Sequence, residues 1–392
     1  VLFVTSTYPD HPGSVRGIFI KELAIELARR GVAVDVLTPR IFADSLEREE
    51  TEGINVFRFT FSSEQKLLAE YSSVPVRVML SYLLCGSRAL ARLIRMKNYD
   101  LLHAHWAIPT GLIGAWDARK SGIPLVVSTH GSDLLVWGRK PILRSLLRWT
   151  LQQARICTAN SEPMLRLTKK LGGNTLAESL VFETGVDIAQ FFPPRDISEA
   201  KKAVGLDAGD RHLLFVGNLT EAKGIDVALK ALALLQNEDR RVKLLVIGQG
   251  KAAAALADLA NKLHVHPEVQ FLGARPHEHL PPFFRAADIF LLPSRSEGMG
   301  IVLLEAAASG KPAVGTAVGG IPTIIRDGET GFVVAPDDPR SLAEKVKVLL
   351  QNPQLRAEMG QRARELAEIE FSREKQIAKI LAVYEYAMSP RM

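Results

Sequence analysis

The chain has 392 residues, 47% hydrophobic and 23% charged, a globular composition with apolar material for two or three domains. No apolar run reaches about 18 residues, so a membrane-spanning helix is not expected. Cys85 and Cys157 sit in separate elements without metal-ligand spacing and suit a reducing compartment. The formal charge of +6 is unevenly placed: residues 66–170 carry 16 Lys and Arg against 5 Asp and Glu, which fits an anionic surface or substrate.

In chain order, residues 1–5 read as a buried parallel strand, with no secretory signal ahead of it, which gives the expectation of a cytoplasmic location. The loop T-Y-P-D-H-P-G-S-V-R-G follows, then a helix over 18–30 stopped by Gly31, then a strand over 32–38. Gly13 and Gly17 would let a ligand approach the start of that helix. Residues 40–60 read as an irregular crossover ending in a strand at 54–60. Residues 64–97 carry a long helical pattern studded with Arg77, Arg88, Arg92, Arg95 and Lys97. A second such stretch, 139–155, repeats Ile142, Leu143, Leu146, Leu147, Thr150 and Leu151 opposite Arg139, Lys140, Arg144, Arg148 and Arg155. A basic amphipathic helix is either packed on the surface or laid on an anionic membrane, where each Lys or Arg adds about 1 kcal/mol.

Between these stretches, a strand over 99–104 runs into H-A-H-W, and a strand over 124–129 runs into H-G-S-D. His103, His105, His130 and Asp133 thus fall at the carboxyl edge of a sheet. The histidine spacing matches no zinc pattern, so these imidazoles read as hydrogen-bonding groups for a substrate. Strands over 154–159 and 180–182 close the first half, and F-F-P-P-R marks a linker at 188–196.

The second half restarts the pattern. A strand over 212–216 leads to G-N-L-T-E-A-K-G and a helix over 225–235; a strand over 242–247 leads to G-Q-G and an Ala-rich helix. A strand over 269–272 and a short helix after H-E-H-L-P-P come next. A strand over 287–292 then enters P-S-R-S-E-G-M-G and a helix over 301–309. Strands at 311–315 and G-F-V-V follow, and the chain is helical from 341, with a last helix over 373–388. Alternation in both halves predicts an α/β fold of two doubly wound, Rossmann-like domains facing a cleft.

The densest signal is the loop 294–300. Gly298 and Gly300 let the backbone pass close to a ligand, and the free N–H groups of Ile301 and Val302 suit a phosphate. Glu297 and Glu305 frame that anion site, each able to accept from a vicinal diol, so one could hold a ribose and the other a sugar. Lys223, also at a carboxyl edge, would neutralise a departing diphosphate.

The run E-G-M-G-I-V-L-L-E resembles the E-x7-E signature of retaining, sugar-nucleotide-dependent glycosyltransferases of family 4, and the likeness covers essentially the whole chain. It implies the GT-B fold: an acceptor domain over 1–187, a linker at 188–196, a donor domain over 197–370, and a helix at 371–392 crossing back to the first domain. It implies catalytic roles for His130, Lys223 and Glu297. Donor contacts would come from Gly17, Asn218, Lys223, Arg275, Glu297, Gly298, Met299, Gly300, Ile301, Val302 and Glu305. Gly13, Arg16, His105 and Asp133 would face the acceptor. The family's usual Arg and Lys on the phosphate loop are Asn218 and Lys223 here; Asn keeps a donor but loses the charge, and Arg275 or Arg16 would have to compensate. The family's N-G-V-D segment carries Thr184 in place of its Asn.

What the resemblance implies is transfer of a hexose-type sugar from a nucleotide-diphosphate sugar, a UDP-sugar before GDP-mannose, by a front-face route. No cofactor or metal is expected, since no D-x-D motif sits at a strand edge. The expected partners are a carbohydrate or lipid-linked acceptor of the cell envelope and, through helices 77–97 and 139–155, the inner face of an anionic membrane, with no nucleic acid. Rival readings are a sugar-nucleotide epimerase or phosphorylase, a non-enzymatic binding protein, and a nicotinamide oxidoreductase. The last rests on Gly248, Gly250 and Ala253 in G-x-G-x-x-A with Glu268 further on, and leaves Glu297 and Glu305 unexplained.

Overall fold

The computed structural model describes residues 1–390 apart from 12, 13, 15, 64, 67, 69, 70, 72, 73, 136, 140, 174, 175 and 177. Gly13 and Lys140 therefore lie outside the described residues. The chain divides into two compact units: Val1–Glu183 with the chain from Ile377 on, and Thr184–Gln376.

Short apolar strands separated by helices can bury both faces only in a parallel sheet, and each unit is built on one. The first unit's strands are β1 (Leu2–Val4), β2 (Asp35–Pro39), β3 (Arg48–Thr51), β4 (Ile54–Phe59), β5 (Leu102–His105), β6 (Leu125–Thr129), β7 (Ile156–Ala159) and β8 (Glu178–Val181), in the order β3-β4-β2-β1-β5-β6-β7-β8. The order reverses between β1 and β5. Phe3 and Val36 face one apolar layer, shared with the helix Ile18–Arg29 and with Ile377, Ile380, Val383 and Tyr384 of the last helix, Arg373–Met388. Leu2, Val4, Leu102 and Val127 face the other layer, against the helices Val76–Met96, Leu112–Ser121 and Pro141–Gln153.

The second unit's strands are β9 (Arg211–Val216), β10 (Val242–Ile247), β11 (Val269–Gly273), β12 (Ile289–Leu292), β13 (Ala313–Thr316) and β14 (Gly331–Val334). Their order is β11-β10-β9-β12-β13-β14, all parallel. Here the order reverses between β9 and β12. Open α/β sheets bind ligands outside the carboxyl ends of strands at such a reversal.

Four local readings change. The crossover at 40–60 contains β3, antiparallel to β4 across a turn at Glu52 and Gly53, both with positive φ. Its sequence, R-E-E-T, is charged because it is an edge strand with an exposed side. The long helix begins only at Val76, after Pro75. The stretch 188–196 belongs to the second unit rather than standing as a free linker: Phe191 is in its core, and Arg364 donates to the carbonyls of Ile188 and Phe191. Part of the basic face is also consumed internally. Lys97 pairs with Asp35 at 2.6 Å, Arg148 lies on Gly172 and Gly173, and Arg155 reaches the carbonyls of Ser389 and Pro390.

Candidate active site

The polar clusters lie at the carboxyl edge of each sheet, beside the strand reversal. In the second unit, β9 delivers the loop to Lys223 and β12 delivers the loop from Pro293 to Gly300. These loops touch through their backbones. A Cβ on Gly224 would stand 1.9 Å from the Pro293 carbonyl oxygen, and one on Gly319, in the loop after β13 that packs on the second, would stand 1.8 Å from that of Glu297. Both glycines have positive φ, so each position demands glycine twice over. The Thr316 hydroxyl donates to the Ser294 carbonyl at 2.5 Å, and Gly320 N–H to the Gly298 carbonyl at 2.8 Å.

Lys223 and Glu297, read separately from sequence, face each other: Nζ lies 2.6 Å from Oε2. Glu297 also accepts from its neighbour Gly298 N–H at 3.2 Å and from Ser294 Oγ at 3.4 Å. Glu305 is buried, 5% exposed, inside the apolar helix Ile301–Ala308, and its Oε1 meets Nε2 of His277 at 2.8 Å. Gly300, at φ 82, begins that helix without a capping side chain, leaving the N–H groups of Ile301 and Val302 for an anion. Met299 turns its side chain inward, where the sulfur accepts from Thr184 N–H at 3.4 Å, so only its main chain is available to a ligand. Asn218 and Arg275 are exposed, on the loops after β9 and β11.

Two residues of this cluster escaped the sequence reading. His277 completes Glu305; a carboxylate in an apolar helix needs a partner, and H-E-H was the nearby source of one. Arg295, in the same loop as Glu297, donates twice to Asp226 at 2.8 Å and once to Asp337 at 2.6 Å, and also to the Glu221 carbonyl at 2.7 Å. It is a clamp between the two loops, which raises its own pKa further and lowers that of Asp226.

In the first unit the cluster is aromatic. His103, His105 and His130 follow one another across β5 and β6, with His103 and His105 rings 4.2 Å apart and His105 and His130 rings stacked at 5.5 Å. His103 is bonded at both nitrogens, to Tyr384 Oη and Ser128 Oγ, each at 2.7 Å. Burial lowers its pKa to about 3 and holds His105 and His130 well below the usual imidazole value. Phe19 and Trp106 flank His130. Among the described residues no group of three His, Cys, Asp or Glu could hold a metal ion.

Asp133 does not present its carboxylate to an acceptor. It is 1% exposed and accepts four backbone N–H groups: Ala107 at 2.8 Å, Gly131 at 3.0 Å, and His130 and Leu134 at 3.2 Å. Burial raises its pKa to about 6 while those bonds pull the other way. Its role is to hold the turn that carries His130. Arg16 pairs with Asp10 at 3.3 Å and lies over the Phe42 ring. Gly17, at φ 64, caps Ile18–Arg29 where a Cβ would collide with the Thr7 carbonyl at 2.6 Å.

The G-x-G-x-x-A segment is not a dinucleotide fingerprint. A Cβ on Gly248 or Gly250 would strike the carbonyls of Gly217 or Leu219, at 1.9 and 2.3 Å, so these glycines serve loop packing. Glu268 precedes β11, at the opposite edge of the sheet from Gly248.

Two family profiles match the chain: one described as Glycosyltransferase Family 4 over residues 17–190, and one described as Glycosyl transferases group 1 over residues 196–366. N-acetyl-alpha-D-glucosaminyl L-malate synthase of Bacillus anthracis is 29% identical over 96% of this chain and 94% of its own. A D-inositol 3-phosphate glycosyltransferase of Nocardiopsis dassonvillei is 30% identical over 97% and 92%. Among solved structures, HepE of Anabaena in complex with UDP superposes with a TM-score of 0.78 at 22% identity, over 98% of this chain and 99% of that one.

Proposed function

The chain belongs to the family 4 glycosyltransferases of GT-B fold, and from that premise we propose that it moves a hexose from a nucleotide-diphosphate sugar to an acceptor hydroxyl with retention of configuration. The observation that carries the reading is the pair of carboxylates at the β9–β12 reversal, each already set against a cation or imidazole: Glu297 with Lys223, Glu305 with His277. Glu305 is the group for the ribose diol. The N–H groups of Ile301 and Val302 and the Lys223 ammonium take the diphosphate, so charge developing on the leaving group meets donors already in place. Glu297 orients sugar hydroxyls. In this reading the bond from the anomeric carbon to phosphate oxygen breaks as the acceptor oxygen bonds on the same face. The acceptor proton passes to the departing phosphate. Glu297 is then no nucleophile, and a sugar trapped covalently on it would refute the scheme.

A UDP-sugar is favoured, with GDP-mannose next; the relatives' substrates differ among themselves and name neither donor nor acceptor for this chain. A lipid-linked or envelope acceptor at an anionic membrane face is supported by one surface. Val76, Leu80 and Leu84 stand exposed along Val76–Met96, with Arg88, Arg92 and Arg95 on the turns beyond. No helix among the described residues is long and apolar enough to cross a membrane.

Calorimetric titration of UDP, GDP and ADP in the presence of a chelator tests the donor site. One nucleotide should bind in the micromolar range without metal. If all three fail to bind until Mg²⁺ is added, the metal-free clamp at Lys223 is wrong. The anomeric configuration of the product, read by NMR, tests retention.

A further inference from the structure

His105 and His130 meet at the carboxyl edge of the first sheet, and only His130 keeps contact with solvent. His105 is 1% exposed, and its Nδ1 lies 3.3 Å from Nε2 of His130, with the rings inclined by 24°. Among the described residues no group hydrogen-bonds the other His105 nitrogen, Nε2, which is buried. The four backbone bonds of Asp133 fix the turn that carries His130, and Trp106 and Phe19 confine its ring.

A neutral imidazole has one N–H and one lone pair, so the contact can form in two ways. If His130 donates from Nε2, the His105 proton must sit on its own Nε2, which buries an N–H with no acceptor. Such orphan donors are rarer in folded proteins than unfilled lone pairs. If His105 donates from Nδ1, only a lone pair is left over. A charged imidazolium on either ring is opposed by burial, which lowers both pKa values.

We propose that His105 is a positioning residue: it donates Nδ1–H to His130 Nε2 and so fixes His130 as the Nδ1–H tautomer, a neutral hydrogen-bond donor toward substrate. This rests on the catalytic role that the family resemblance implies for His130, taken as contact with the transferred sugar. It has a chemical consequence. His130 can hold a sugar hydroxyl or a phosphate oxygen through Nδ1–H, but it has no outward lone pair with which to take the acceptor proton. General-base duty then falls to the leaving phosphate.

The experiment is a two-bond ¹H–¹⁵N correlation on ligand-free, ¹⁵N-histidine-labelled protein. Its nine histidines are sorted by the signal lost in His130→Gln. His130 should carry its proton on Nδ1. In His105→Phe it should move toward the Nε2–H form usual for a free imidazole. His105→Asn, whose amide nitrogen stands where Nδ1 stood, should restore the Nδ1–H form and turnover, which falls about tenfold in His105→Phe for one lost hydrogen bond. Finding Nε2–H on His130 in the unsubstituted protein overturns the proposal, as does an unchanged tautomer in folded His105→Phe. If His105→Phe does not fold, the unsubstituted protein and His105→Asn decide. UDP-glucose and GDP-mannose are then added to the unsubstituted protein. A shift of His130 Nδ1 with its tautomer kept is expected; no shift with either, the tautomer being as proposed, overturns the sugar-facing premise and leaves the tautomer standing.

Discussion

At the edge of β5 and β6, the polar groups are three neighbouring neutral rings and one carboxylate spent on the backbone; at the edge of β9 and β12 they are a Lys–Glu ion pair and a carboxylate bonded to an imidazole. Both edges lie at a strand reversal, so topology alone does not account for the contrast. The chemistry does. A departing diphosphate needs fixed cations and N–H donors, whereas a reacting sugar needs hydrogen bonds without competing charge. Asp133 and Glu305 make the contrast sharpest, because both are buried acids and the proposed function gives them opposite duties. Asp133 satisfies four N–H groups of its own chain; Glu305 has an imidazole beside it and a helix N-terminus one turn away.

The two acids can therefore be dissociated by experiment. Asp133→Ala should destabilise the first unit most, by about 4 kcal/mol, because it strands buried N–H groups. Urea unfolding would read the loss, and nucleotide affinity should hardly change. Glu305→Ala should do the reverse. Affinity for the nucleotide diphosphate falls about 100-fold, as for loss of two charge-assisted hydrogen bonds to a diol, while the unfolding midpoint moves little. If Asp133→Ala weakens nucleotide binding as much as Glu305→Ala does, the division of labour fails.

Lys223→Ala sharpens the second half of the comparison. It should weaken diphosphate binding about tenfold, since a partly exposed ammonium is screened by solvent, and leave the corresponding monophosphate nearly unaffected. Titrating UDP against UMP reads this as a collapse of the ratio between them. An equal loss for both would mean that Lys223 shapes the loop through Glu297 rather than meeting phosphate.

What sequence could disclose follows the same line. Glu297, Glu305 and Lys223 were legible because glycines and apolar runs place them at strand ends, and local pattern is enough for that. Their pairings were not legible. Lys223 and Glu297 are 74 residues apart, as His277 and Glu305 are separated by 28, and only the order of parallel strands brings them together. Asp133 was placed correctly at an edge and misread in duty, since whether a carboxylate turns out or back onto N–H groups depends on the turn it closes. The alternation of strands and helices was strong enough to give both sheets. The edge strand β3 escaped because an edge needs no apolar face.

The amino edge of the second sheet carries the weakest but most distinctive prediction. Lys201 Nζ and Asp288 Oδ2 pair at 2.8 Å with both side chains 2% exposed, and Asp288 also accepts from His212 N–H. Lys311 stands nearby, buried, donating to the Arg285 carbonyl at 2.8 Å. Burial, then the neighbouring cations Lys201 and Arg356, lower its pKa from 10.5 to about 7, against the pull of Asp288. The sign follows from proton counting. Between pH 7 and 10.5 the unfolded chain holds the Lys311 proton and the folded chain does not, so the unfolded state binds more protons and stability rises with pH. The slope is about 1 kcal/mol per pH unit for a single proton. Urea unfolding at pH 7 and pH 8.5 should therefore show higher stability at the higher pH, and Lys311→Met should flatten that difference. An unchanged stability over the same interval would mean that Lys311 stays charged in the fold, held there by Asp288. The second unit would then bury an unbalanced cation at its amino edge, and the charge at its carboxyl edge would be no special provision for a ligand.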